Sequence, residues 1–266
     1  MKKNKIAVLN YHEVQSSKQY IAASPEERSY ALRSDVFENQ MAALTLMGFR
    51  CGTLSDLQKK DAGGRMFLLT FDDGCLSHYE HVRPILEDRG FRGVFFVSAG
   101  LIGSGRCMTA SQLRGMVKAG FEIGSHGYDH VPLTTLSDQD LRREIFDSRR
   151  KLEDVTGAPV RSFSIPRGFY HPRVRHCVVS SGYGFLFTSH FGLHELGGDP
   201  YYIRRMAVKS TTSSPDFESW VHGRAYARQF MEELKELARR GLGFKTYQDW
   251  AHLKAQLRMR FTAAPQ

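Results

Sequence analysis

Two short polar clusters carry the chemistry this sequence could perform. The first is Asp72-Asp73-Gly74, which ends the run Met66-Phe67-Leu68-Leu69-Thr70-Phe71. Five apolar residues among six read as a strand buried on both faces, of the kind central to a parallel sheet. Adjacent carboxylates at its carboxyl end repel each other unless a cation or a proton intervenes, so the pair either binds metal or shifts a pKa. For an isolated Asp-Asp-Gly, a turn whose Asp caps the next helix is the commoner arrangement. The second cluster is His126-Gly127-Tyr128-Asp129-His130. Histidines at i and i+4 present both imidazoles to one point if the segment makes a single helical turn, and Gly124 and Gly127 permit a tight path. Alone, such a pair is more often polar loop content. Together, the clusters offer two imidazoles and a carboxylate to a divalent metal with positions open for water and substrate, leaving one acid to deprotonate that water.

The clusters must be brought together by the elements between them. Ile6 to Asn10 reads as a short strand leading to Tyr11-His12-Glu13, and the polar stretch from Gln15 to Arg33 as a long loop. Ser34 would cap a helix bearing Phe37, Met41 and Leu44 and stopped by Gly48. Gly90, Gly120 and Gly182 close three more helices, and each of the four glycines precedes an aromatic residue: Phe49, Phe91, Phe121 and Tyr183. That punctuation marks helix stop and strand start. It places strands at Gly93–Val97, Phe121–Ser125 and Phe185–Thr188, with further strands at Ser162–Ile165 and Ile203–Val208. A helix from Asp138 to Thr156 carries Leu141, Ile145, Leu152 and Val155 on one face, between the cap Ser137 and the stop Gly157. Alternating strands and helices without a linker predict an α/β fold: a distorted (β/α) barrel of about seven parallel strands. A barrel gathers the carboxyl ends of its strands on one face, so the Asp and His clusters converge. The expected organisation is a barrel over 1–213 and a basic helical region packed on it over 214–266.

Composition narrows the setting. The chain has 266 residues, 41% hydrophobic and 24% charged, within the range of ordinary globular proteins. Its net charge of +9 favours anionic surroundings. No nucleic-acid reading motif accompanies that charge, so no nucleic-acid partner is expected, and nothing designates a protein partner. Four cysteines, Cys51, Cys75, Cys107 and Cys177, show no Cys-x-x-Cys spacing. The basic start lacks the long apolar run and cleavage site of a signal peptide, which makes a cytoplasmic location the expectation. The basic run around Arg239-Arg240 and Lys254 to Arg260 reads structurally as a solvated helix face. Functionally it reads as peripheral attraction to acidic lipid, which would suit work at the inner membrane surface.

Thr70-Phe71-Asp72-Asp73-Gly74, then Pro84-Ile85-Leu86, Val94-Phe95-Phe96-Val97 and Gly124-Ser125-His126-Gly127-Tyr128-Asp129-His130 resemble the first two motifs of the polysaccharide deacetylases, the NodB-like carbohydrate esterases. The likeness runs in element order from about Lys5 to Val208. It implies the NodB-like barrel, with Asp72 as general base and Asp73, His126 and His130 as ligands of a divalent metal. Zinc is the first choice for two nitrogens and one oxygen, with cobalt, nickel or manganese compatible. It further implies hydrolysis of N-acetyl, in some members O-acetyl, groups on a glycan or a lipid- or nucleotide-linked amino sugar, with water on the metal as nucleophile. Ser164-Ile165-Pro166-Arg167-Gly168 stands where the family has Arg-Pro-Pro-Tyr-Gly. By position the Arg167 backbone N–H would hold the oxyanion, and Pro166 would line the substrate site. Ser164 occupies the place of the usual Arg, and Arg161, Arg167 and Arg205 are the candidates to replace it. The family's late Leu-x-Ile-His has no counterpart, which leaves His12, His194 and His222 as candidate general acids; His12 is favoured because it follows a strand end. Tyr11 and Tyr128 are candidates for stacking on sugar rings. The alternative function is a glycan-binding module on the same barrel, impaired in turnover by its altered third and last motifs.

Overall fold

The structure, a computed structural model, describes residues 5–61 and 64–224 together with Arg228 and Met231. Its strands are β1 (Lys5–Tyr11), β2 (Glu13–Gln15), β3 (Ala31–Arg33), β4 (Arg50–Cys51), β5 (Met66–Phe71), β6 (Val94–Val97), β7 (Glu122–Ser125), β8 (Ser162–Ser164), β9 (Phe185–Phe187), β10 (His194–Glu195) and β11 (Met206–Ala207). Parallel pairing runs β1-β5-β6-β7-β8-β9. The sheet then curls back on itself. Phe187 bridges Ile203 in parallel, and two residues after Arg204 β11 pairs with Leu9 and Asn10 of β1. Seven parallel strands thus make the distorted barrel that the sequence predicts. The distortion has a visible cause: β1 and β5 each share one edge between two partners. β10 takes the amino end of β1 at Lys5 and Ile6 while β11 takes its carboxyl end. β4 likewise pairs with β5 at Met66 and Phe67, and β6 pairs with it only at Thr70 and Phe71.

Period-two alternation sets what fills the barrel. Ile6, Val8, Met66, Leu68, Val94, Phe96, Phe185, Phe187 and Ile203 form one buried apolar cluster. Continuing each strand by two residues toward its carboxyl end on the same face reaches Asn10, Thr70, Asp72, Ser98 and Arg205. All five are buried. The interior is therefore apolar at the amino end and polar at the carboxyl end, where the candidate site lies.

The four Gly-aromatic stops form as expected. Gly48, Gly90, Gly120 and Gly182 have φ between 64° and 82°. The following aromatic N–H reaches the carbonyl five residues back in every case, from Phe49 to Leu44, Phe91 to Leu86, Phe121 to Met116 and Tyr183 to Val178. This is a Schellman closure whose aromatic enters the core. Three expectations need correction. Residues 15–33 are not a bare loop but hold helices Ser17–Ala22 and Pro25–Tyr30 and the small β2-β3 sheet; the Ser16/Gln19 capping box that starts the first was a readable signal. Ser34 is the first helical residue, not the cap. The helix after Ser137 is interrupted by a π segment, Arg143–Asp147.

The first compact unit spans Met1–Arg224 and includes helix Ser214–Val221, which buries Phe217, Trp220 and Val221. The basic run from Arg239 to Arg260 lies outside the described residues. No described helix is long and apolar enough to cross a membrane.

Two glycine substitutions separate strain from packing. A Cβ on Gly90 meets nothing within 4 Å, so Gly90→Ala costs only left-handed strain, about 1–2 kcal/mol. On Gly124 it would lie 2.5 Å from a Phe96 ring carbon and 2.7 Å from the Ser162 hydroxyl. Gly124→Ala, which overpacks the interior, is expected to cost about 1–3 kcal/mol. In urea denaturation, Gly124→Ala should lower the unfolding midpoint further than Gly90→Ala.

Candidate active site

The site grows from the carboxyl ends of β5, β7 and β8 and from the segment joining Ile203 to β11. Asp72 continues the inward face of β5 and is buried. Arg205, also buried, meets it in a two-point fork: Nη1 donates to Oδ1 at 2.7 Å and Nη2 to Oδ2 at 2.9 Å. Asn10 Nδ2 and the Ser164 hydroxyl donate to Oδ2 at 3.2 and 3.4 Å. The guanidinium is held in turn by the Thr188 carbonyl at 3.0 Å, Asn10 Oδ1 at 3.0 Å and the Ser164 hydroxyl at 2.8 Å. Phe96 and Phe187 flank it at 5.6 and 5.9 Å. Burial pushes the Asp72 carboxyl up, but the Arg205 charge outweighs it, assisted by His126, and holds the pKa at about 2.

Of the three arginines left open by the sequence, the structure selects Arg205. Arg161 and Arg167 are exposed. Ser164 leaves room for a guanidinium that arrives from the last strand and hydrogen-bonds through its hydroxyl.

Asp73 would face away from Asp72 on a regular strand. Its φ of 76° turns it back, so that Oδ1 lies 3.4 Å from His126 Nε2 and 3.2 Å from His130 Nε2. Those spacings match the edge of a tetrahedron with bonds of about 2.0–2.1 Å, roughly 3.3 Å. One donor atom from each residue falls within 4.8 Å of the others. His126 Nδ1 lies 2.9 Å from the Ser164 carbonyl, an outer contact that fixes the tautomer and leaves Nε2 for a cation. The donor set fits a divalent metal.

The His loop is not the helical turn that the i, i+4 spacing suggested. It is a bend folded by Gly127 (φ 78°) and His130 (φ 57°). Glu144, which sequence reasoning missed, holds it. Its buried carboxylate accepts the N–H of Tyr128 at 2.7 Å and of Asp129 at 3.1 Å. The available signal was an acid three residues after Leu141 on the helix's apolar face. Glu144 sits in the π segment Arg143–Asp147, and His78, in the other, His78–Val82, bonds the His12 carbonyl at 2.5 Å. Each π bulge thus touches a site loop, a common location for such bulges.

The remaining candidates separate by position. Arg167 lies three residues beyond Ser164 in a left-handed turn (φ 58°). Asp73, His130 and Arg167 are the non-glycine residues with positive φ among those described, and all three belong to this face. His12 is half-buried, within the field of Asp72, Asp73, Arg205 and His126; burial chiefly lowers its pKa. His194 pairs with Ile6 at the opposite end of β1, and His222 packs its ring edge on Phe49. Two substrate-binding expectations are corrected. Tyr11 is a core residue, buried against Phe37 and Phe71 with its hydroxyl on Gln40 at 2.9 Å. Pro166 is buried too, its ring within 3.2 Å of where a Gly127 Cβ would stand. Tyr128 is half-buried, with Arg143 and Lys151 4.7 and 4.9 Å from its ring centre.

Removing Arg205 leaves a buried, uncompensated carboxylate. Arg205→Met is expected to destabilise the fold by about 3–5 kcal/mol, and Arg205→Lys, which cannot form the fork, by an intermediate amount. Thermal and urea denaturation measure both. The acid limb gives a second check. Because the folded Asp72 pKa lies below its unfolded value of about 3.9, its stabilisation is present above pH ~4 and lost as pH falls toward 2. Stability should drop less between pH 4 and 2 in Asp72→Asn than in the parent chain.

Known proteins share this fold and its sequence motifs. Residues 59–186 match the polysaccharide deacetylase family model. A putative polysaccharide deacetylase of Bacillus subtilis, YxkH, is 25% identical over 222 residues, covering 82% of this chain and 76% of that protein. A chitin deacetylase of Arthroderma benhamiae is 35% identical over 96 residues, covering 35% of this chain and 23% of that one. Among solved structures, IcaB from Ammonifex degensii superposes with a TM-score of 0.71 at 26% identity, over 82% of this chain and 97% of that chain. Residues 59–186 thus form a polysaccharide deacetylase domain.

Proposed function

We propose that this protein removes N-acetyl groups from a carbohydrate by metal-assisted hydrolysis, with Asp72 as general base. The observation that carries the reading is the separation of the two adjacent acids: Asp73 shares a donor cluster with His126 and His130, while Asp72 is held ionised by Arg205. Asp73, His126 and His130 would hold the divalent cation. Zinc is the metal this donor set favours, and cobalt, nickel or manganese fit it as well. When bound, such an ion supplies Lewis acidity and acidifies water.

The chain's own groups supply the rest. Asp72 Oδ2 accepts from three side chains and Oδ1 from one, so the free lone pair for the nucleophile's proton is on Oδ1. Arg205 fixes the carboxylate plane and keeps it charged. The Arg167 N–H donates to the oxyanion that forms as the amide carbonyl becomes tetrahedral. His12, the candidate histidine on this face, returns a proton to the leaving amine, giving acetate and an amino sugar. An acetylated glycan is the substrate class, supported by a relative named for chitin. A turnover-silent glycan-binding module is less well supported, because Asp72, which is outside the ligand cluster, is present with its charge maintained.

Acetate release from N-acetylated chito-oligosaccharides tests the assignment. Asp72→Asn should lower turnover by about 10²–10⁴-fold while zinc binding, followed by calorimetry, persists. His126→Ala should lose both. Chelation should abolish turnover and added zinc or cobalt restore it. Undiminished acetate release by Asp72→Asn would remove the general-base assignment.

A further inference from the structure

Immediately past the Asp73 corner, the chain runs alongside the segment that ends the loop after β6. The Leu76 N–H donates to the Arg106 carbonyl at 2.6 Å, and the Met108 N–H to the Gly74 carbonyl at 3.0 Å. Between those two bonds Cys75 and Cys107 face each other as an antiparallel bridge. The bonds flank the pair and do not join it, so it is the non-hydrogen-bonded type, in which Cα atoms stand about 4.5 Å apart and side chains project to the same side. A disulfide spans Cα separations of about 4.4–6.8 Å. Both thiols are free and half-buried.

The other two cysteines are elsewhere. Cys51 Sγ lies 3.0 Å from the Arg92 carbonyl, and Cys177 is buried in helix Pro172–Ser180. Two of the four cysteines thus share one rung, and that rung adjoins the candidate metal ligand Asp73. The segment carrying Cys107 is exposed at Ser104, Gly105 and Arg106 and has left-handed glycines at 103 and 105. Its attachments to the Asp73 corner include the two backbone bonds above.

We propose that Cys75 and Cys107 are a redox-responsive pair that forms an intramolecular disulfide, fastening the 101–108 loop to the Asp72-Asp73-Gly74 corner. The oxidant is a low-molecular-weight disulfide. One cysteine attacks it, releasing a first small thiol and forming a mixed disulfide; the second cysteine then displaces the other small thiol as the Sγ–Sγ bond forms. Two protein thiols are oxidised and one small disulfide is reduced to two thiols, so protons and electrons balance. The cross-link closes a long segment of chain, which constrains the unfolded state.

Incubation of the full chain with oxidised glutathione tests the pair. Of the four thiols, two should be lost to titration in denaturant, with an intact mass lower by two hydrogens. A non-reducing peptide map should join Cys75 to Cys107. The melting midpoint should rise by roughly 5–10 °C on oxidation, and a reductant should reverse it. Cys107→Ser should instead retain glutathione on Cys75 and show no such rise. Stable glutathione on both cysteines of the parent chain, retention of all four thiols, or a cross-link to Cys51 or Cys177 would overturn the proposal. The peptide map on the unmutated chain decides the matter even if Cys107→Ser folds poorly.

Discussion

The pairing of Arg205 with Asp72 inside the barrel is the constraint around which the rest of the site is arranged. Burying a guanidinium and a carboxylate carries a desolvation cost of several kcal/mol per ion, offset only when geometry is good and the remaining donors and acceptors are satisfied. Here the fork is bidentate, and Asn10, Ser164 and the Thr188 carbonyl take up the other bonds. Space for it comes from small residues. Gly124 and Ser162 let Phe96 lie across β7 and β8, and Ser164 admits the guanidinium end-on, while Phe96 and Phe187 cover its faces. A larger residue at 124 would displace Phe96, and with it one wall of the pair.

Strain is placed at the same end of the barrel. The left-handed backbone of Asp73, His130 and Arg167 costs on the order of 1–2 kcal/mol each in an ordinary residue. Such conformations persist when their surroundings over-determine them, and here the surroundings can be named. Glu144 binds two successive N–H groups of the His loop, and the Ser125 hydroxyl joins the Gly127 N–H to Ser148. The Arg167 turn is closed by the bond from the Gly168 N–H to the Ile165 carbonyl. At Asp73 and His130 the strain brings together side chains that regular strand geometry would point elsewhere.

How much of this was legible depended on whether a signal was local. Helix stops were readable because Gly followed by an aromatic encodes a Schellman closure in two residues. The convergence of the Asp and His clusters was readable because a parallel barrel collects strand ends whatever their distance in sequence. The choice of Arg205 over Arg161 and Arg167 was not, since it depends on the inward phase of a short segment whose register is set by non-local pairing, Ile203 with Phe187 on one side and β11 with Leu9 and Asn10 on the other. Tyr11 and Pro166 misled because proximity to a strand end does not specify a face. Tyr11 is one residue out of phase with Asn10 and points into the helix layer, where Phe37 and Gln40 receive it. The role of Glu144 depends on a π bulge, which has no local sequence signature comparable to a helix cap or stop.

The phase of β5 also explains how two neighbouring carboxylates coexist. Two acids adjacent in sequence at one site would normally force one of them to stay protonated. Here Asp72 ends the inward-facing series Met66, Leu68, Thr70 and finds a permanent cation in Arg205. Asp73, out of that series and turned by its positive φ, finds the two imidazoles. Asp72 has a permanent countercharge of its own, so the general-base candidate owes its ionisation chiefly to Arg205, with His126 assisting. Asp72 is therefore charged and oriented by the folded chain itself, before any cation enters, which is the preorganisation that an electrostatic catalyst requires. A barrel with the same two motifs but with an uncharged side chain at 205 would keep the Asp73, His126 and His130 cluster and lose the charge that holds Asp72 ionised.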